Sequence, residues 1–192
     1  TQASSRPFDT TEFLDELETA QQYINELAAD GIHNIVVVSH YGYQNDLALA
    51  AQLTGVDAII GGDSHTLLGD PAEFGAFLPE TEGAYATVVD NADGDQVCVA
   101  QAWQYSNIVG ELTLNFADGK LDATTPCSGT PHLLVGTQFY RGVDDATPPQ
   151  PIPVEATEQT AIDTIIAGLD NVTAIDPNPD SQAILDEFAD QV

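Results

Sequence analysis

Two short apolar runs rich in β-branched residues, Ile35–Val38 and Val56–Ile60, each break off at small polar residues and a histidine. Between them, Asp46-Leu-Ala-Leu-Ala-Ala-Gln-Leu53 carries helical spacing. The pattern predicts a strand, helix, strand unit whose continuous apolar strands are parallel and buried on both faces. In such sheets ligands sit just beyond the carboxyl ends of the strands, where His40, Asp63 and His65 fall. Imidazole nitrogen and carboxylate oxygen suit zinc, manganese or a similar divalent ion. Three ligands do not complete such a centre. Gly61 and Gly62 permit a tight turn and close backbone approach, and Ser64 lets Asp63 and His65 project from an irregular loop.

The run Ser39-His-Tyr-Gly-Tyr-x-x-Asp46, followed by Gly55-Val-Asp-Ala-Ile-Ile-Gly-Gly-Asp-Ser-His-Thr66, resembles the second half of the metallophosphoesterase domain of bacterial 5'-nucleotidases. That family includes periplasmic UDP-sugar hydrolases and NAD nucleotidases. Val99-Ala-Gln-Ala-Trp-Gln-Tyr105 and Val109 to Lys120 resemble the closing strands of the same domain, so the resemblance covers roughly the first two-thirds of the chain. It implies an α/β fold, a four-layer αββα sandwich of metallophosphoesterase type, with only the second half in this chain. Residues 1–143 would be that half, and 144–192 a Pro-rich connector and helices leading towards an absent C-terminal substrate-binding domain.

The implied activity is hydrolysis of nucleotide phosphoesters (5'-nucleotidase, UDP-sugar or NAD pyrophosphatase type) with two divalent metal ions, Zn, Mn, Mg or Ca, bridged by an aspartate. By position, His40 and Asp63 would bind one ion and His65 the other. Many members carry His-Ser-His where this chain has Asp63-Ser64-His65; aspartate still ligates, and its charge partly offsets the dication. The remaining ligands and the catalytic histidine are expected in the missing N-terminal half. No catalytic residue is therefore assigned here, and the fragment alone is expected to be inactive. The resemblance brings Gln104 and Tyr105 within reach of the substrate's phosphate or sugar. Asn45 is a further substrate contact to weigh against a role for Asn45 and Asp46 in capping the helix. The alternative is a non-catalytic fragment or inactive scaffold relative that at most binds divalent cations.

Charge bounds the partners. The chain has 31 acidic and 3 basic residues, a formal net charge of −28, which repels nucleic acid and anionic lipid. An anionic nucleotide would need metals to overcome that field, and the surface suits salty surroundings that screen self-repulsion. Cys98 and Cys127 are expected to pair as a disulfide in a periplasmic or secreted protein, closing a loop worth roughly 3 kcal/mol. No membrane span is visible. A sheet lacking half its strands would expose apolar edges, so the fragment by itself is expected to be unstable or to associate.

Elsewhere the sequence predicts a helix opening at Thr10-Thr11, with Phe13, Leu17, Ala20, Ile24 and Leu27 facing inward and Gly31 ending it. His33 is expected at the helix end and His132 in a structural role. The stretch from Leu68 to Gly83 reads as a loop, with Phe74 or Phe77 lining a substrate entrance or anchoring the loop as buried side chains. From Tyr85 onward, successive antiparallel strands are expected, Gln101 and Trp103 sharing one face. The turn at Asp90–Asp95 has calcium-loop composition but reads as an ordinary hairpin. Residues 144–153, with four prolines, are expected to be an extended connector, followed by an amphipathic helix from Glu155 and another opening at Asp180.

Overall fold

The computed structural model describes residues 6–75, 77–78, 80–146 and 149–189. The chain divides after His132 into two compact units. In the first, α1 spans Glu16–Ala29 and is capped by Asp15, whose Oδ1 accepts from the Glu18 N–H at 2.8 Å. The expected start at Thr10-Thr11 is corrected by this. Asp15 is a strong cap and the acids Glu16 and Glu18 in the first turn suit the helix dipole. Leu17, Ala20 and Ile24 face the core, whereas Phe13 precedes the helix and is 47% exposed.

The strand, helix, strand unit forms as the pattern requires. Strand β1 (Val36–Val38), helix α2 (Tyr43–Ala50) and strand β2 (Ala58–Gly61) follow one another, and β1 lies parallel to β2 with Val37 opposite Ile59. The buried Asp57 carboxylate ties the strand starts together by accepting the Ile35 N–H at 2.7 Å. After β2 comes the short helix α3 (Pro71–Phe74), whose Phe74 is fully buried and anchors the loop. Strands β3 (Thr87–Asp90) and β4 (Gln96–Gln101) form an antiparallel hairpin, its turn held by Asn91 Oδ1 accepting from the Asp93 and Asp95 N–H groups. Strand β4 also runs parallel beside β2, so the sheet order is β1-β2-β4-β3. Fully burying each of Leu53, Ile59, Val97 and Val99 under α1 and α2 contributes about 1.5–3 kcal/mol.

Two expectations fail in this sheet. Burial on both faces holds for β2 and β4 but not for β1, where Val36 and Val38 are 50% and 83% exposed because β1 is the sheet's edge. The antiparallel succession also ends at β4. Trp103, Tyr105 and Ser106 have φ of 55°, 50° and 58°, which turns the chain out of the sheet and removes Trp103 from the face it was expected to share with Gln101. The next strand, β5 (Ile108–Leu114), instead joins a second sheet, after which β6 (Phe116–Ala117) and β7 (Lys120–Leu121) make a tight antiparallel turn. Strand β8 (Cys127–Val135) returns beside β5, and the expected disulfide links Cys98 of β4 to Cys127 with Cα atoms 6.5 Å apart. His132 sits on β8 with Nε2 3.5 Å from Glu111 of β5.

In the second unit, β9 (Tyr140–Val143) pairs antiparallel with β10 (Pro151–Pro153). The stretch 144–153 is therefore the turn and return arm of a hairpin rather than an extended connector, apart from residues 147–148, which lie outside the described residues. Helix α4 (Ala156–Ile166) opens with a reciprocal capping box between Glu155 and Glu158, and Glu158 also pairs with Arg141. Strand β11 (Val172–Ala174) lies parallel to the end of β8, burying Val172 against Leu133. Helix α5 (Pro179–Ala189) starts where Asn178 Oδ1 accepts from the Asp180 and Ser181 N–H groups, and it leaves Ile184, Leu185 and Phe188 exposed.

Candidate functional site

The parallel pair β1 and β2 brings two loops side by side at their carboxyl ends. His40 follows β1, Asp63 follows β2, and His40 Nε2 lies 3.3 Å from Asp63 Oδ1. Both side chains reach solvent, at 66% and 39% exposure. A cleft of about 770 Å³ opens beside them, walled by Phe13, Tyr23, Val38, Tyr41 and Asn45.

The loop after β2 takes its shape from close packing. A Cβ on Gly61 would collide with Asp46 Oδ2, and one on Gly62 would lie 3.2 Å from His40 Nδ1. Only glycine lets β2 come this near its neighbours. Asp63 and His65 then adopt φ of 73° and 53°, left-handed conformations that cost L-residues about 1–2 kcal/mol each unless something holds them. Ser64 is one such hold: its Oγ accepts the Tyr43 N–H at 3.0 Å and bonds Thr66 Oγ1 at 2.8 Å. Beneath the loop lies Gln101, 2% exposed at the end of β4.

The sequence reading groups His40, Asp63 and His65, and the structure sets His40 beside Asp63. The His65 ring meets Tyr105 edge-on with centroids 5.1 Å apart. Among the described residues, no three of His, Cys, Asp and Glu converge tightly enough to hold a cation. His40 and Asp63 fit a shared divalent ion in donor type and spacing. Tyr105 is 80% exposed beside His65. Asn45 does not cap α2; its Nδ2 donates to the Tyr41 carbonyl at 2.8 Å, and the N-cap position is held by Gly42, without a side-chain cap. Gln104 accepts the Asn107 N–H through its backbone carbonyl at 3.1 Å in the turn after β4.

Asp46 is the residue the sequence reading missed. It is fully buried rather than capping, and its Oδ1 accepts from Ser39 Oγ at 2.5 Å, next to His40. Among the described residues its Oδ2 has no hydrogen-bond partner, and burial pushes the carboxyl above its usual range, the Ser39 hydrogen bond opposing this in part. The signal was present: Tyr43, Asp46, Leu49 and Ala50 all lie on the buried stripe of α2, so an acid occupied a core position of the helical pattern. Gln101 carried a similar signal, a polar residue closing the fully buried run Val97–Ala100.

No protein-family model matches the chain. Among curated proteins, it is 28% identical to a probable 5'-nucleotidase of Treponema pallidum over 96% of this chain and 30% of that protein. It is 34% identical to the NAD 5'-nucleotidase of Haemophilus influenzae over 70% of this chain and 22% of that protein. The chain thus spans less than a third of these relatives' length. Among solved structures, a 5'-nucleotidase precursor from Thermus thermophilus superposes with a TM-score of 0.60 and 45% identity over 66% of this chain and 24% of that one. The H. influenzae NAD nucleotidase superposes over 96% of this chain and 36% of its own with a TM-score of 0.75; at 24% identity this likeness concerns the fold, which is of metallophosphoesterase type.

Proposed function

The chain belongs to the 5'-nucleotidase family over the part that it spans, and from that premise we propose that it forms part of a hydrolase acting on nucleotide phosphoesters. The observation that carries this reading is the His40–Asp63 pair at 3.3 Å, set at the ends of adjacent parallel strands in the segments that resemble the family. His40 and Asp63 hold one divalent cation in this proposal, and His65 contributes to a second whose other ligands come from outside these 192 residues. Divalent cations so held supply Lewis acidity at a phosphoryl oxygen.

The chain's own residues bind and orient. Imidazole and carboxylate present donors to one point, the cleft beside them admits a substrate, and Tyr105 offers an exposed aromatic face near His65. Asn45, on the cleft wall, and Gln104, before Tyr105, are proposed as further substrate contacts. Residues 1–143 serve as the second half of the catalytic domain and 144–192 lead towards a substrate-binding domain, a functional division distinct from the compact units. An exported, periplasmic or secreted setting accords with the disulfide and with relatives that include snake venom 5'-nucleotidases. Among the described residues, no helix is long and apolar enough to cross a membrane.

The test is phosphate release from AMP, UDP-glucose and NAD by the longest natural form of the protein with added Mn²⁺ or Zn²⁺, wild type against His40→Ala. The expected result is release by the wild type and a loss of about 100-fold or more in the variant, at least the upper range for disturbing a metal's surroundings. Equal turnover by both would remove His40 from the proposed role.

A further inference from the structure

We propose that Gln101 is the positioning residue of this site, a buried amide that sets the loop carrying Asp63 and His65; the functional side of this rests on the nucleotide-hydrolase reading. Gln101 lies at the end of β4, where the Gly61 strand position is its neighbour across the sheet. In the orientation that satisfies its surroundings, its amide nitrogen donates to the Gly62 carbonyl at 3.1 Å and to Ser64 Oγ at 3.2 Å. Its amide oxygen accepts the His65 N–H at 3.1 Å and the Thr66 N–H at 2.5 Å. One side chain therefore satisfies donors and acceptors on both sides of Asp63, over a stretch whose Asp63 and His65 are left-handed.

The chemistry demands an amide. A carboxylate accepts but does not donate, and an apolar side chain does neither, so only Gln reaches both the carbonyl and the two N–H groups from this position. Thr66 is 3% exposed and Gln101 2% exposed, so water does not substitute freely at the Thr66 N–H, and orphaning that buried group is costly. Release of this clamp frees Asp63 and His65 from the backbone conformation that aims them, while the β2–β4 ladder remains intact because it is made by backbone groups.

The experiment uses the longest natural form of the protein and two readouts. Amide hydrogen exchange in the wild type should show His65 and Thr66 protected like Ile59 and Val99 of the sheet. In Gln101→Met, which keeps length and bulk but removes the hydrogen bonds, His65 and Thr66 should exchange about tenfold faster or more while Ile59 and Val99 keep their protection. Phosphate release from AMP and Mn²⁺ affinity should fall about 10- to 100-fold, the range for groups that orient metal ligands. Unprotected His65 and Thr66 amides in the wild type overturn the clamp without need of any variant. Unchanged exchange at those amides in Gln101→Met overturns it as well. Faster exchange with full activity and Mn²⁺ affinity overturns the positioning role. A wild type that releases no phosphate defeats the nucleotide-hydrolase reading instead, and the exchange readout still decides the clamp.

Discussion

Asp46 shows how one side chain can stabilise the fold in one pH range and oppose it in another. Its carboxyl is buried among Ser39, Gly61 and the α2 core, and desolvation raises its pKa from 3.8. A raised folded-state pKa means that the folded protein holds this proton more tightly than the unfolded chain. The contribution is therefore complete below pH 3.8 and lost as pH rises through the folded value. Asp57 is raised for the same first reason, burial, so the two acids act in one direction. In Asp46→Asn the neutral amide does not titrate. Urea midpoints measured at pH 4 and pH 7 should show the variant gaining on the wild type as pH rises. A difference that stays constant across that range would mean Asp46 does not titrate with folding.

At the scale of elements, the disulfide joins what the sheets do not. Strand β4 belongs to the four-stranded sheet and β8 to the three-stranded one, and Cys98–Cys127 is the covalent link between them across 29 residues of sequence. Closing a loop of that length stabilises by about 3 kcal/mol on the chain-entropy account. The double variant Cys98→Ala, Cys127→Ala should lower the unfolding free energy by about that amount in a urea titration. A midpoint equal to that of the oxidised wild type would sink the assignment of the bridge as a stabilising link. The elements were unequally legible in the sequence. The β-branched runs and the Asn91–Asp95 turn announced β1, β2, β3 and β4, because period and turn chemistry are local. The start of α1 was misplaced because Thr10 and Asp15 are both good caps, and the helix uses Asp15, followed by the acids Glu16 and Glu18 in its first turn. The hairpin of β9 and β10 was missed because prolines at a strand edge read like a linker.

For the whole molecule, charge and an open edge dominate. Thirty-one carboxylates meet 3 cationic side chains, of which Lys120 and Arg141 are already engaged by Asp95 and Glu158. Most of the repulsion is therefore uncompensated, and screening should matter more than in a balanced protein, since the Debye length falls from about 10 Å at 0.1 M salt to about 3 Å at 1 M. The thermal midpoint is expected to rise between 0.1 M and 1 M NaCl, followed by circular dichroism. A fall over that range would contradict self-repulsion as a main influence on stability. The exposed valines of β1 form the other large-scale feature: an apolar sheet edge beside the His40–Asp63 pair, where further strands of a longer domain would pair in the proposed enzyme.

Short stretches of chain were enough to announce the parallel strand pair and the placing of His40 and Asp63 at its carboxyl ends, since strand period, glycine turns and family-like motifs are all written locally, while the pairing of Cys98 with Cys127 followed from the compartment expected of an exported protein with two cysteines. It took the folded chain to reveal that His65 turns to Tyr105, that Asp46 is a core acid and that Gln101 underlies the loop. These depend on which surfaces meet. A side chain's partners across a sheet are set by the packing of distant segments, which leaves no periodic trace in the residues that take part.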